Sequence, residues 1–100
     1  MKKFNVTDKI NINKFCEENN LSYLGLFGSY ARGQQQPSSD IDLLFELDRD
    51  IKITLFGIGK MAYTLEKNLG LKVDFIDKNN IKPEFKLNIM DDLITLYEKR

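Results

Sequence analysis

The stretch LFGSYARGQQQPSSDIDLLF, Leu26 to Phe45, decides how this chain is read. It opens on apolar residues that suit a strand, breaks at Gly28-Ser29, and crosses a polar loop. It then enters a second apolar run whose start carries Asp40 and Asp42. Side chains alternate along a strand, so residues i and i+2 point the same way. Asp40 and Asp42 therefore present two carboxylates to one face. Adjacent anions raise one another's pKa unless a positive group lies between them. A hard divalent cation, Mg2+ or Mn2+, is the compensation that oxygen ligands favour. Taken alone, a DxD also fits a plainer account, in which Asp40 caps the strand and Asp42 lies on a solvated face.

A third acid shifts that balance. Asp74 lies in KVDFID, a later strand-like run. If the two strands are neighbours, three carboxylates converge, and such a cluster can hold two metal ions that serve phosphoryl chemistry. Asp77, three residues on and of opposite facing, reads as a turn or surface acid. Gly28-Ser29 supplies the other half of a phosphate site. Glycine lets backbone approach a ligand closely. Ser29 can cap the helical turn that follows, where free N–H groups attract anions. Arg32 either adds positive charge toward a triphosphate or pairs with a surface acid.

The bulk properties narrow the setting. One hundred residues make a single domain spanning 1–100, with one core and no separate acceptor-binding domain. Lys plus Arg number 15, as do Asp plus Glu, so the basic excess of a non-specific nucleic-acid binder is missing. Histidine is absent, which removes Ser-His and Cys-His nucleophiles and His-based zinc sites. The lone cysteine, Cys16, sits among apolar positions and reads as a small buried residue suited to a reducing compartment. The N-terminus MKKFNVTDK has no apolar run behind its lysines, and no stretch has transmembrane length. A cytoplasmic location is expected.

Along the chain, Thr7 or Asp8 is expected to cap a first helix that ends near Asn19-Asn20. Leu21 to Phe27 and Ile41 to Leu47 read as strands, with QQQPSS as the loop between them. Ile58, Met61, Ala62, Leu65 and Leu69 form a helical stripe beginning near Thr54 and closed by Gly70. Lys72 to Asp77 is a third strand. A helix follows Pro83 through Phe85, Ile89 and Met90. LITLYEKR favours a short edge strand by alternation, with a continued helix as the alternative. Tyr23, Tyr63 and Tyr97 have apolar neighbours and are expected to pack.

FGSYARGQQQPSSDIDLLF followed by LEKNLGLKVDFID resembles the DNA polymerase β-type nucleotidyltransferase superfamily, and most closely its minimal, MntA-like antitoxin branch. The likeness spans about Leu21 to Asp77, and the GS, ten residues, DxD spacing is much more specific than a DxD alone. It implies an α/β (α+β) fold, a small mixed sheet flanked by helices. It further implies Gly28 and Ser29 on the nucleotide phosphates, with Asp40, Asp42 and Asp74 as metal ligands and catalytic carboxylates. The resemblance implies Mg2+-dependent transfer of AMP from ATP to a tyrosine hydroxyl of a partner HEPN-domain RNase toxin. Membrane and sequence-specific nucleic-acid partners are not expected.

Three rival readings stand beside it. KITLFGIGKMA, Lys52 to Ala62, imitates a strand followed by a dinucleotide-binding glycine motif, though the chain offers too little sheet for that fold. The domain could instead neutralise its toxin by masking alone. Modification of a small hydroxylated molecule is disfavoured, since cradling such an acceptor needs more chain.

Overall fold

The computed structural model describes residues 5–99. The leader reading at 1–4 and the final residue of LITLYEKR lie outside the described residues. Helix α1 is Ile12–Glu18, strand β1 Leu21–Phe27, the one-turn helix α2 Ser29–Arg32, and strand β2 Ile41–Leu47. Helix α3 (Leu55–Leu69), strand β3 (Val73–Asp77), helix α4 (Pro83–Asp92) and strand β4 (Ile94–Glu98) follow. The sheet order is β3-β2-β1-β4. β2 and β3 are parallel, joined through α3, and the other two pairings are antiparallel. The sheet is therefore mixed, as expected.

Apolar residues on both faces of β1 and β2 explain why these strands take the centre. On one face Leu24, Leu26, Ile41, Leu43 and Phe45 pack with Ile12, Phe15 and Cys16 of α1 and Met61, Leu65 and Leu69 of α3. Phe45 stacks on Phe75 with ring centroids 4.2 Å apart. Each such fully buried side chain contributes roughly 1.5–3 kcal/mol. On the other face Tyr23, Phe27 and Leu44 pack with Ile76, Ile81, Ile89 and Leu93, so α4 covers that side. Burial pushes the Cys16 thiol up to about 12, helped by the nearby Glu17 charge, which agrees with an inert buried residue.

Several boundaries follow from local chemistry. Thr54 accepts a hydrogen bond from the Gly57 N–H at the start of α3, and Gly70 ends that helix with a left-handed φ of 70°. Pro83 opens α4. Asp77 accepts from the Asn79 N–H, the turn role expected of it. β4 is the edge strand, and the Tyr23 hydroxyl meets Thr95 Oγ1 at 2.9 Å.

Three expectations need correction. Thr7 and Asp8 do not cap α1. They lie in a short 3-10 turn that Asn5 caps, and Asn11 caps α1 by accepting from the Lys14 N–H. Tyr63 is 65% exposed, because the buried stripe of α3 faces the opposite way. Gly57 and Gly59 sit inside α3 and not in a strand–turn, so the dinucleotide-like motif has no phosphate loop.

Candidate active site

β1 runs antiparallel to β2, and β2 parallel to β3, so the end of β1 meets the starts of the other two. Phe27 is the register partner of Asp42, and Asp42 is that of Asp74. Directly paired residues share a face. Asp42 and Asp74 therefore stand side by side on the face that α4 covers farther along. Asp40 precedes β2 by one residue and is exposed, as is Asp74, while Asp42 is half-buried.

The charges feel one another. Asp42 is pushed up to about 6, first by burial, then by Asp74 and Asp40, with Arg32 pulling the other way. A half-buried carboxylate raised by two like charges marks a place that favours added positive charge.

Gly28 joins the Gly28-Ser29 turn to this centre. It has a φ of 76°, and an added Cβ would lie 2.1 Å from Asp42 Oδ2. Only glycine allows the chain to turn directly beside that carboxylate. Gly28 itself occupies the cap position of α2, and Ser29 is the helix's first residue, so Ser29 does not cap it as expected. The loop is held by backbone bonds from Arg32 N to Gly28 O at 3.1 Å and from Gln34 N to Ser29 O at 2.9 Å. The Gly28-Ser29 turn and the carboxylates thus meet at one end of the sheet.

Arg32 faces both readings made of it. Its charge acts on Asp42, yet its guanidinium pairs with Asp92 at the end of α4 and with Gln34. Sequence inspection missed Asp92. Its signal was the spacing of Phe85, Asn88 and Asp92, which lie at i, i+3 and i+7 and so share one side of α4.

The donor set fits a hard divalent cation in its chemistry, three carboxylates with Asp42 raised by the others. Among the described residues no three such side chains are already gathered at ligand spacing. Also among the described residues, no helix is long and apolar enough to cross a membrane.

The chain is similar to known proteins in sequence and in fold. Residues 10–100 match the family model described as "Polymerase beta, Nucleotidyltransferase". A Methanocaldococcus jannaschii protein, provisionally named protein adenylyltransferase MJ1379, is 46% identical over 72 residues, 71% of this chain and 72% of its own length. The protein adenylyltransferase MntA of Thermococcus cleftensis is 34% identical over 71 residues, 71% of this chain and 70% of that one. A crystal structure of a toxin–antitoxin with AMP-PNP shares the fold with a TM-score of 0.78 at 23% identity, over 97% of this chain and 76% of that chain. The fold, the matched length and the degree of identity agree, and the chain belongs to the polymerase beta nucleotidyltransferase family, in its minimal, MntA-like branch.

Proposed function

We propose that residues 1–100 act as one nucleotidyltransferase domain that moves AMP from ATP to a tyrosine hydroxyl of a HEPN-domain RNase toxin and thereby silences it. The observation that carries this reading is the register pair Asp42–Asp74 beside the Gly28 turn. The names of the relatives support adenylyl transfer. A solved complex of a tri-AMPylated Shewanella oneidensis HEPN toxin with its antitoxin shares this fold, with a TM-score of 0.69.

In this reading the Gly28-Ser29 loop holds the β- and γ-phosphates, and Arg32 lies beside it as a cation. Asp40, Asp42 and Asp74 would hold Mg2+, or Mn2+, which when bound neutralises phosphate charge and acidifies the acceptor hydroxyl. Asp74, on the outer strand, faces the incoming acceptor and orients its oxygen. That oxygen forms a bond to the α-phosphorus, the bond to the bridging oxygen breaks, and pyrophosphate leaves with the electron pair. The acceptor proton passes to Asp74 or to solvent. Positioning and charge neutralisation supply most of such catalysis, and histidine is not required.

The test is incubation with α-labelled ATP and Mg2+, with and without a candidate HEPN-domain partner, followed by mass spectrometry of both chains. AMP on the partner is expected, and Asp42→Asn should reduce the transfer by at least about a hundredfold. Unchanged transfer by a folded Asp40→Asn, Asp42→Asn double variant would sink the assignment. Masking is the second reading, favoured by the exposure of Leu55, Phe56 and Tyr63 on α3. Rescue of toxin-expressing cells by that double variant would select it.

A further inference from the structure

Helices α3 and α4 lie on opposite sides of the sheet, and each carries an exposed strip of its own. On α3, Phe56, Lys60, Tyr63 and Lys67 fall at i, i+4, i+7 and i+11, the side opposite its buried stripe. Phe56 is 77% exposed, and the Lys60 ammonium lies 5.8 Å from its ring centroid. Gly59 has open space where a side chain would stand. It leaves a recess of about 380 Å³ bounded by Phe56, Lys60, Tyr63 and Thr64. The one acid of α3, Glu66, accepts from the Val73 N–H at 3.0 Å and so turns toward β3. This strip is aromatic and cationic.

The strip on α4 has the opposite character. Glu84, Leu87 and Asp91 fall at i, i+3 and i+7, all exposed, with exposed Met90 beside them. Lys86 lies roughly 140–160° round the helix from the two acids. Among the described residues, none of Lys60, Lys67, Glu84 and Asp91 is in an ion pair. Exposed apolar groups rimmed by unpaired charge mark interaction surfaces.

The two strips match in spacing as well as in charge. Lys60, Tyr63 and Lys67 repeat the i, i+3, i+7 order of Glu84, Leu87 and Asp91. The outer charges therefore stand roughly 10 Å apart on both helices. Laid side by side, each lysine meets an acid, Tyr63 meets Leu87, and an aliphatic side chain comes to the recess at Gly59. Because α3 packs in one core and α4 in the other, a chain cannot join its own two strips. A contact between two different patches is heterologous and does not close as a two-fold dimer.

We propose that the α3 strip docks on the α4 strip of a second copy, a head-to-tail contact that grows into short chains of this protein. It stands apart from the transfer reading, whose residues it does not use.

The test is sedimentation equilibrium of the full chain at about 0.1–1 mM and low salt, since a contact of two short helix faces is small and screened by ions. The average mass should rise above one chain and pass two without levelling off. Salt at about 0.5 M should lower the association constant by about tenfold. Lys60→Glu with Lys67→Glu, and Glu84→Lys with Asp91→Lys, should each be monomeric alone and associate when mixed, because each reversal then faces its complement. Tyr63→Ala and Leu87→Ala should each weaken association by about tenfold, and they carry the test if a reversed variant fails to fold. A wild type that stays monomeric at about 1 mM and low salt overturns the proposal. Reversed variants that associate as wild type does, or a mixture that stays monomeric, also overturn it. A monomeric wild type whose Lys60, Lys67 variant loses affinity for a candidate HEPN-domain partner would make that partner the occupant of the α3 strip instead.

Discussion

At the residue scale, the site is built around one crowded carboxylate. Glycine is the residue type that position 28 requires, since φ is 76° and an added Cβ would crowd the Asp42 carboxylate. Gly28→Ala is therefore expected to cost about 1–2 kcal/mol for the backbone conformation alone, and to push the Asp42 carboxylate aside. Thermal unfolding should show a lowering of about 4–8 °C per kcal/mol, with transfer activity lost at temperatures where the variant is still folded. Asp42 itself makes a pH prediction. Its folded pKa, about 6, lies above the ordinary 3.8, so the folded state binds more protons between those values. Stability contributed by the protonated form is thus present below pH 3.8 and is lost as pH rises through 6. The shift corresponds to about 3 kcal/mol, which solvent screening of a half-buried group reduces to about 1 kcal/mol. In EDTA, Asp42→Asn should be more stable than wild type above pH 6 by about that amount, with the difference closing below pH 4. Mg2+ should raise the wild-type melting temperature and leave that of the variant unchanged. A pH-independent difference between the two proteins would refute the electrostatic account.

At the element scale, α3 and α4 have different tasks. α3 connects two parallel strands, and its stripe of Met61, Leu65 and Leu69 packs in one core with Leu43 and Phe45 of β2 and Phe75 of β3. The Asp42–Asp74 pairing depends on that connection. Thr54 caps the helix through its bond to the Gly57 N–H at 3.1 Å. Thr54→Ala should cost about 1 kcal/mol and leave a cooperative transition, while Thr54→Ser should retain most of the stability. Equal melting temperatures for the three proteins would show that the cap contributes nothing. α4 has a weaker hold on the sheet. Ile89 and Leu93 pack inward, while Leu87 and Met90 are exposed. Its contribution to the site comes through Asp92, whose partner Arg32 is exposed. Such exposed ion pairs stabilise a fold by less than about 1 kcal/mol, so the pair orients Arg32 more than it holds α4 down.

At the scale of the whole molecule, the described residues fold into one four-stranded sheet with helices on both faces, and the candidate site lies where three strand ends meet. That meeting point exists because β1 reverses into β2 and β3 returns parallel to it. Both faces of the central strands are apolar, and this excludes an arrangement with either strand at an edge. β4 takes the free edge of β1, which settles the ambiguity of its sequence in favour of a strand. A further helical turn there would leave the β1 backbone unpaired, an expensive choice for buried N–H and C=O groups.

The sequence by itself determined most of the elements and which residues are candidates for the site. Short apolar runs bounded by turn residues, the 3.6-residue stripe on α3, Gly70 and Pro83 all act over a few residues, so β1, β2, α3 and α4 were legible without any tertiary knowledge. The same holds for the GS turn and the two aspartates on one strand face. Only the tertiary structure decided which distant groups meet. Asp74 faces Asp42 because of a parallel register, Arg32 pairs with Asp92 sixty residues away, and Tyr63 turns to solvent because α3 packs by its other side. Register and helix placement minimise the exposed apolar area of the whole sheet, a quantity that no local spacing contains.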